Sequence, residues 1–265
     1  MVINDLFFAN KWLSELGGFC TDKPQYEVAE RDCEIIEIAG RSGDLYVDNN
    51  RYKNKDFERN IGFKKIHAMP VDKQIENIIA WLAYAHGYQK FSDTLHKGYF
   101  TRAILKNIGD VIRNSQRLSS TNLQFNRLPF WYSDLGQIPV PLLELYSQSD
   151  TTVLFNPEPL PAAPVYKFIS TSNQAQPNYV TLNINDGEFE ETYNFTFGHP
   201  YETNLTEFII DTNRKQVYLR NPVNGNYQYV YGDLPPELPA GKNTIEIGVG
   251  NYQLTAAIIP NWRKL

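Results

Sequence analysis

The chain predicts a mainly β protein with one helix, in which an antiparallel sheet carrying that helix is followed by an antiparallel β-sandwich. Three observations lead there. Tyr and Phe, at 17 and 15 copies against 2 Met, favour strands over helices. Only residues 71–86 hold a convincing helical period. From residue 179 onward, short alternating segments recur between Asp-Gly and Asn-Gly turns, the spacing of a sandwich. A length of 265 residues suits two domains, placed at 1–140 and 141–265.

In chain order, residues 34–66 read as strand, turn, strand. Ile36 and Ile38 share one face, and Gly40-Arg41-Ser42-Gly43-Asp44 and Asp48-Asn49-Asn50 supply residues that tolerate positive φ. Phe57, Ile61 and Phe63 then alternate with polar positions. The paired glycines are not followed by Lys-Ser/Thr or by a helix, so a turn fits better than a phosphate loop. In the helix, Ile75, Ile78, Ile79 and Leu82 form the stripe, Asp72 can cap the start, Gly87 can close the end, and Trp81 and Tyr84 flank the stripe as packing groups. Strands follow around Tyr99–Leu105 and Leu123–Tyr132.

Residues 133–164 contain Pro139, Pro141, Pro157, Pro159, Pro161 and Pro164, and read as an extended connector with at most one short strand at Thr151–Phe155. Beyond it, strands are expected at Tyr179–Ile184, Tyr193–Phe197, Leu205–Asp211, Gln216–Arg220, Tyr227–Tyr231, Thr244–Val249 and Tyr252–Ile259. In Leu238-Pro239-Ala240-Gly241-Lys242-Asn243, Pro239 pre-sets φ for a turn and Gly241 ends it, launching the strand of Ile245, Ile247 and Val249.

The composition excludes several functions. A net charge of −5 argues against a nucleic-acid binder; the imbalance is −1 over residues 1–150 and −4 beyond. The one basic cluster, Arg51, Lys53, Lys55, Arg59, Lys64 and Lys65, is interleaved with Asp56 and Glu58 and reads as a solvated face. Cys20 and Cys33 read as free thiols. The start has no basic leader and no stretch suits a bilayer span, so the chain is expected in the cytosol, with the sequons at Asn194 and Asn204 unused. His67, His86, His96 and His199 fall in no catalytic motif, and His86 suits the negative end of the helix. Glu188, Glu190 and Glu191 imitate a glycosidase pair but follow a hairpin turn, which favours a solvated strand face. No catalytic residue, cofactor or metal site is expected.

The alternate tyrosines Tyr227, Tyr229 and Tyr231 put three rings on one strand face. They read as core or subunit contact first and as a sugar-stacking row second.

Several segments recur in one order. They are Phe7-Phe8 with Trp12, the Gly40-Arg41-x-Gly43 turn, the Tyr52 region, the helix ending Trp81-Leu82, and Pro129-Phe130-Trp131-Tyr132. Next come Phe208-Ile209-Ile210-Asp211, the Asn224-Gly225 turn, Asp233-Leu234-Pro235 through Pro239, Gly241 and Asn243, and finally Pro260-Asn261-Trp262-Arg263. On these the chain resembles the distal tail (Dit) protein family of long-tailed, non-contractile bacteriophages. The resemblance implies a tail-tube-like first domain and a galectin-like or carbohydrate-binding-module-like sandwich. It also implies a structural virion component in the distal tail, assembled in the host cytoplasm. Such a protein is a homohexameric ring, single or as two stacked rings, that joins the tail tube protein to the tail tip, receptor-binding protein or baseplate. DNA only passes through its channel, and no membrane is involved. The alternative is an adhesion module that recognises cell-wall glycans through the second domain.

Overall fold

The computed structural model describes residues 4–22, 26–66, 69–115, 118–144, 149–170, 179–187, 189–196, 207–230, 233–250 and 254–265. The chain falls into two compact units, Met1–Trp131 with Leu265, and Tyr132–Lys264.

The first unit contains β1 (Leu6–Phe8), β2 (Lys11–Trp12), β3 (Gly18–Cys20), β4 (Arg31–Ile36), β5 (Leu45–Tyr52) and β6 (Lys55–Lys64). The helix α1 (Val71–Tyr84) follows, then β7 (Gln89–Asp93), β8 (Tyr99–Ile108), β9 (Ile112–Arg113), β10 (Leu118–Arg127) and the start of β11 (Trp131–Ser133). Its sheet runs β2-β1-β7-β8-β10-β6-β3 through antiparallel pairs, while β4 and β5 form a separate two-stranded hairpin. Alternation along β6 and β10 turns Phe57, Ile61, Phe63, Leu123 and Phe125 to one face. There Phe57 stacks on Phe125 with ring centroids 5.2 Å apart, and Phe91 meets both edge-on.

The helix packs on this core through Ile78, Trp81 and Leu82. Its buried stripe is rotated from the expected one, since Ile79 is exposed and Gln74 is buried. Gln74 turns inward because it can be fully satisfied there: its Nε2 donates to the carbonyls of Leu16 (2.8 Å) and Lys64 (3.0 Å), and its Oε1 accepts from the Ile66 amide. Pro70, not Asp72, occupies the N-cap position, and Asp72 instead pairs with Arg113 at 3.4 Å. The helix ends at Tyr84, which points to solvent instead of packing; Gly87 takes a positive φ just beyond.

Charge is also buried in this core. Arg59, expected on a solvated face, points inward and donates to Glu27 Oε1 at 2.6 Å, with Asp93 at 3.6 Å. Asp93 accepts from the ring and backbone nitrogens of His96 at 2.8 and 2.7 Å, and the His96 ring stacks on Trp131 at 3.9 Å. Arg127 is fully buried with its guanidinium over the Trp131 ring, 5.3 Å from the centroid; it donates to the carbonyls of Leu128, Pro129 and Glu27. Burial lowers its pKa to about 10, still well above neutrality, so the guanidinium remains charged.

The second unit contains the rest of β11, β12 (Val140–Leu143), β13 (Ser149–Asn156), β14 (Val165–Ser170), β15 (Tyr179–Asn185), β16 (Glu190–Thr196) and β17 (Glu207–Asp211). After these come β18 (Gln216–Arg220), β19 (Tyr227–Tyr229), β20 (Gly241–Val249), β21 (Leu254–Ile259) and β22 (Arg263–Lys264). A six-stranded sheet, β12-β21-β14-β17-β18-β19, faces a four-stranded one, β13-β20-β15-β16, across a shared apolar core. Phe195 of one sheet and Phe208 of the other approach to 5.5 Å.

The proline-rich stretch is not merely a connector, because it contributes the whole of β12 and β13. Both are edge strands, so Pro141 removes no ladder bond that a second neighbour would need, and Pro157, Pro159 and Pro161 fall after β13 ends. β14 was not foreseen.

Two outcomes follow from these cores. The Tyr166 hydroxyl is fully buried and has no hydrogen-bond partner among the described residues. Tyr166→Phe is therefore expected to leave stability unchanged or raise it by about 1 kcal/mol, read as the urea midpoint; a loss would reveal a partner. Burial by itself would raise the Asp93 pKa, but the His96 hydrogen bonds and the Arg59 charge outweigh it and hold the carboxyl below 3.8. Its stabilisation is complete above that unfolded value and is lost as pH falls through the lower folded one. Asp93→Asn should cost about 2–4 kcal/mol at neutral pH and flatten the acid limb of a denaturation series; an unchanged acid limb would place the linkage elsewhere.

Candidate functional site

The face of β6 and β10 opposite the aromatic core is polar from Asp56 to Asn60 on one strand and from Asn122 to Asn126 on the other. The register sets Asp56 across from Asn126, Glu58 across from Gln124 and Asn60 across from Asn122. Each amide donates to its neighbour: Asn126 Nδ2 to Asp56 at 2.6 Å, Gln124 Nε2 to Glu58 at 3.0 Å, and Asn122 Nδ2 to Glu58 at 3.2 Å and Asn60 at 3.0 Å. Asn54 extends the net by donating to Asn126 and Tyr88, and Asn60 by donating to Asp22. The Asn126 amide and the Lys106 ammonium, 2.9 Å away, hold Asp56 below the usual carboxylate range, so it stays ionised. Ordered cross-strand pairing of this kind makes a hydrated, acid-containing surface whose hydrogen-bond groups are already engaged with one another.

The second feature is the β4–β5 hairpin, which pairs with no other described strand. Its root is charged, with Arg31 3.3 Å from Asp48 and Asp32 held by Arg51 at 2.5 Å and Lys53 at 3.8 Å. Farther out it is apolar on both faces. Ile35 opposite Tyr46 lies on one side, and Ile36 opposite Leu45, with Val47, on the other. Ile35 is 67% and Tyr46 55% exposed. Apolar alternation normally marks one covered face; here neither face is covered by a described residue's sheet.

The expected turn residues sit in and around this hairpin. Gly40 and Gly43, at φ +81° and +93°, form its tip, and the Arg41 amide donates to the Ile38 carbonyl at 3.1 Å. Ile36 and Ile38, read as one strand face, are both exposed.

The other motif residues hold the second unit together. Gly241 has φ +93° at the start of β20, just after Pro239. Asn243, fully buried, donates to the carbonyls of Pro239 and Gly241, both at 3.1 Å, while Asn156 donates to those of Leu160, Leu238 and Pro239. Trp262 is buried in the sandwich core and packs so tightly on Gly136 that a Cβ there would lie 2.6 Å from the Trp262 nitrogen.

Tyr227 and Tyr229 are 60% and 52% exposed on edge strand β19, which removes them from the core; Tyr231 lies outside the described residues. Glu190 and Glu191 are adjacent on β16 and so project to opposite faces, which separates them as a carboxylate pair; Glu188, His67, His199 and Asn204 lie outside the described residues. His86 is exposed past the helix end.

A cavity of about 600 Å³ beside β3 is lined by Gly17, Gly18, Phe19, Cys20 and Ile66, with Lys64 and Lys65. Burial pushes the Cys20 thiol up to about 12, which keeps it protonated and a poor nucleophile. Among the described residues, no group of three His, Cys, Asp or Glu could hold a metal ion, and no helix is long and apolar enough to cross a membrane.

No family model and no curated protein matches the chain. Solved structures do. The Dit protein of SPP1, described as a paradigm of the hub adsorption apparatus in Gram-positive infecting phages, aligns over 97% of both chains with a TM-score of 0.64 and 11% identity. Chains of the phage P2 baseplate in its activated conformation, solved with Ca and with Sr, align over 97% and 99% of this chain and 98% of theirs, each with a TM-score of 0.49 and 8% identity. By the first of these alignments, which runs nearly end to end, this chain has the fold of a phage tail hub protein.

Proposed function

We propose that the protein is a structural component of a phage tail: a hub protomer whose copies close into a ring between the tail tube and the tail tip or baseplate. The observation that carries this reading is the two-faced apolar hairpin. A lone two-stranded ribbon is marginal in water, and one that exposes Ile35, Ile36, Leu45 and Tyr46 gains stability only when other chains cover it. A second copy of this chain is the simplest cover, because it supplies the same surface at every step around a closed ring. The fold shared with the SPP1 hub protein supports the role.

In the ring, the Asp56, Glu58, Gln124 and Asn126 face lines the channel. Its acids repel a nucleic-acid backbone, and its engaged amides offer few free donors to phosphate, so DNA slides without sticking. The first unit is tail-tube-like and forms the ring, while the sandwich is galectin-like; the ring has six copies, single or as two stacked rings. Tail tube protein, tip protein and receptor-binding protein or baseplate are its partners. The work is done by surface complementarity, with no catalysis and no cofactor.

Light scattering on a sizing column, followed by negative-stain imaging, tests this reading. The expected mass is about six or twelve times 30.5 kDa with a central hole. Ile35→Asp combined with Tyr46→Asp should yield a folded monomer, its thermal midpoint within a few degrees of the parent because both side chains are exposed. A wild-type monomer at every concentration, or rings that survive the double substitution, would refute it.

A further inference from the structure

We infer that the outward face of β17–β19 is a saccharide-binding site on the second unit, taking a neutral hexose or N-acetylhexosamine chain. This goes beyond the hub reading and stands or falls separately from it. Val217 and Leu219 point into the sandwich core, so Tyr218 and Arg220 point out. The register places Tyr229 across from Tyr218 and Tyr227 across from Arg220, and then Arg220 across from Glu207. Three rings therefore meet on one surface, with centroids 5.3 Å apart for Tyr227–Tyr229, 6.0 Å for Tyr218–Tyr227 and 6.4 Å for Tyr218–Tyr229.

The planes of these rings cross at 67° to 76°. They form a corner with walls, instead of the flat row that alternation alone implies. A pyranose fits such a corner because its C–H face stacks on one ring while its rim of hydroxyls meets the polar edges of the others. Hydrogen-bonding groups stand ready beside it: Arg220 lies 3.8 Å from Glu207, and Arg214 lies 3.6 Å from Asp211. Each pair holds its partner in place and leaves donors and acceptors for hydroxyls.

The charges decide the ligand class. Two guanidiniums are matched by two carboxylates, so the patch has no net field to attract a polyanion. The aliphatic neighbour Ile209 is already buried, which leaves rings and polar groups as the accessible surface, unlike the mixed aromatic and aliphatic centre of a protein interface. Two of the phenols are held neutral: hydrogen bonding with Tyr227 raises the Tyr229 pKa, and burial raises that of Tyr218.

The full chain should be applied to an array of neutral hexose and N-acetylhexosamine oligosaccharides, and the best ligand titrated by calorimetry at low and high NaCl. Tyr227→Ala with Tyr229→Ala is expected to weaken binding by about tenfold or more, with the thermal midpoint and the molar mass unchanged. Tyr227→Phe with Tyr229→Phe should lose less, since stacking survives, and this pair guards against a misfolded Ala variant. Affinity should be insensitive to salt. Absence of binding to every oligosaccharide, binding that survives the Ala pair, or a steep salt dependence would overturn the inference. So would an Ala pair that changes only the oligomer mass, which would make the patch a contact between copies.

Discussion

The burial of two arginines on one face of β6 and β10 is the constraint on which the first unit depends. A guanidinium inside a core is tolerated only if carboxylates and carbonyls are brought to it. Arg59 draws in Glu27 and Asp93, and Arg127 takes the carbonyls of Glu27, Leu128 and Pro129. The segment that leads into the hairpin, the turn after β7 and the corner after β10 are thereby tied to the same place. Because side chains alternate along a strand, a slip of one residue would expose both arginines and bury the acids of the opposite face. The inward ion cluster and the outward polar ladder therefore share one cause, the register of Asp56–Arg59 against Gln124–Arg127.

That division of labour explains how one sheet serves two surroundings. Inward, Phe57, Phe91 and Phe125 supply apolar area around the ions; outward, Glu58, Gln124 and Asn126 present a hydrated wall. The hairpin leaves this sheet through a charged root and reaches into solvent with apolar side chains on both sides. Among the described residues it is anchored but uncovered, a geometry suited to assembly. The sandwich is built by other means, with buried asparagines, Asn156 and Asn243, fastening the turn that launches β20.

Much of this was legible in the residues. Alternation located β6, β15, β17, β18 and β20, and Asp186-Gly187 and Asn224-Gly225 located the turns after β15 and β18, because those signals are local. The departures arise where a distant partner decides. Gln74 looks like a surface residue until the carbonyls of Leu16 and Lys64 satisfy it, and that rotates the helix stripe away from Ile79. Arg59 looks like part of a basic face until Glu27 and Asp93 close over it. Prolines suggested a connector at 133–164, yet edge strands admit them. The ladder was present in the alternation of Asp56, Glu58 and Asn60 with Asn122, Gln124 and Asn126, but only the strand register brings the two series together. The tyrosine surface was visible as a spacing, whereas its exposure and crossed ring planes depend on Tyr218 from the neighbouring strand.

The most direct test of the account is an electron cryo-microscopy map of the assembled particle at a resolution that traces β6 and β10. The account predicts a closed ring in which the Asp56, Glu58, Gln124 and Asn126 face borders the central channel and each hairpin is sandwiched between neighbouring copies. A ring with that face turned outward, or with the hairpins free in solvent, would contradict it.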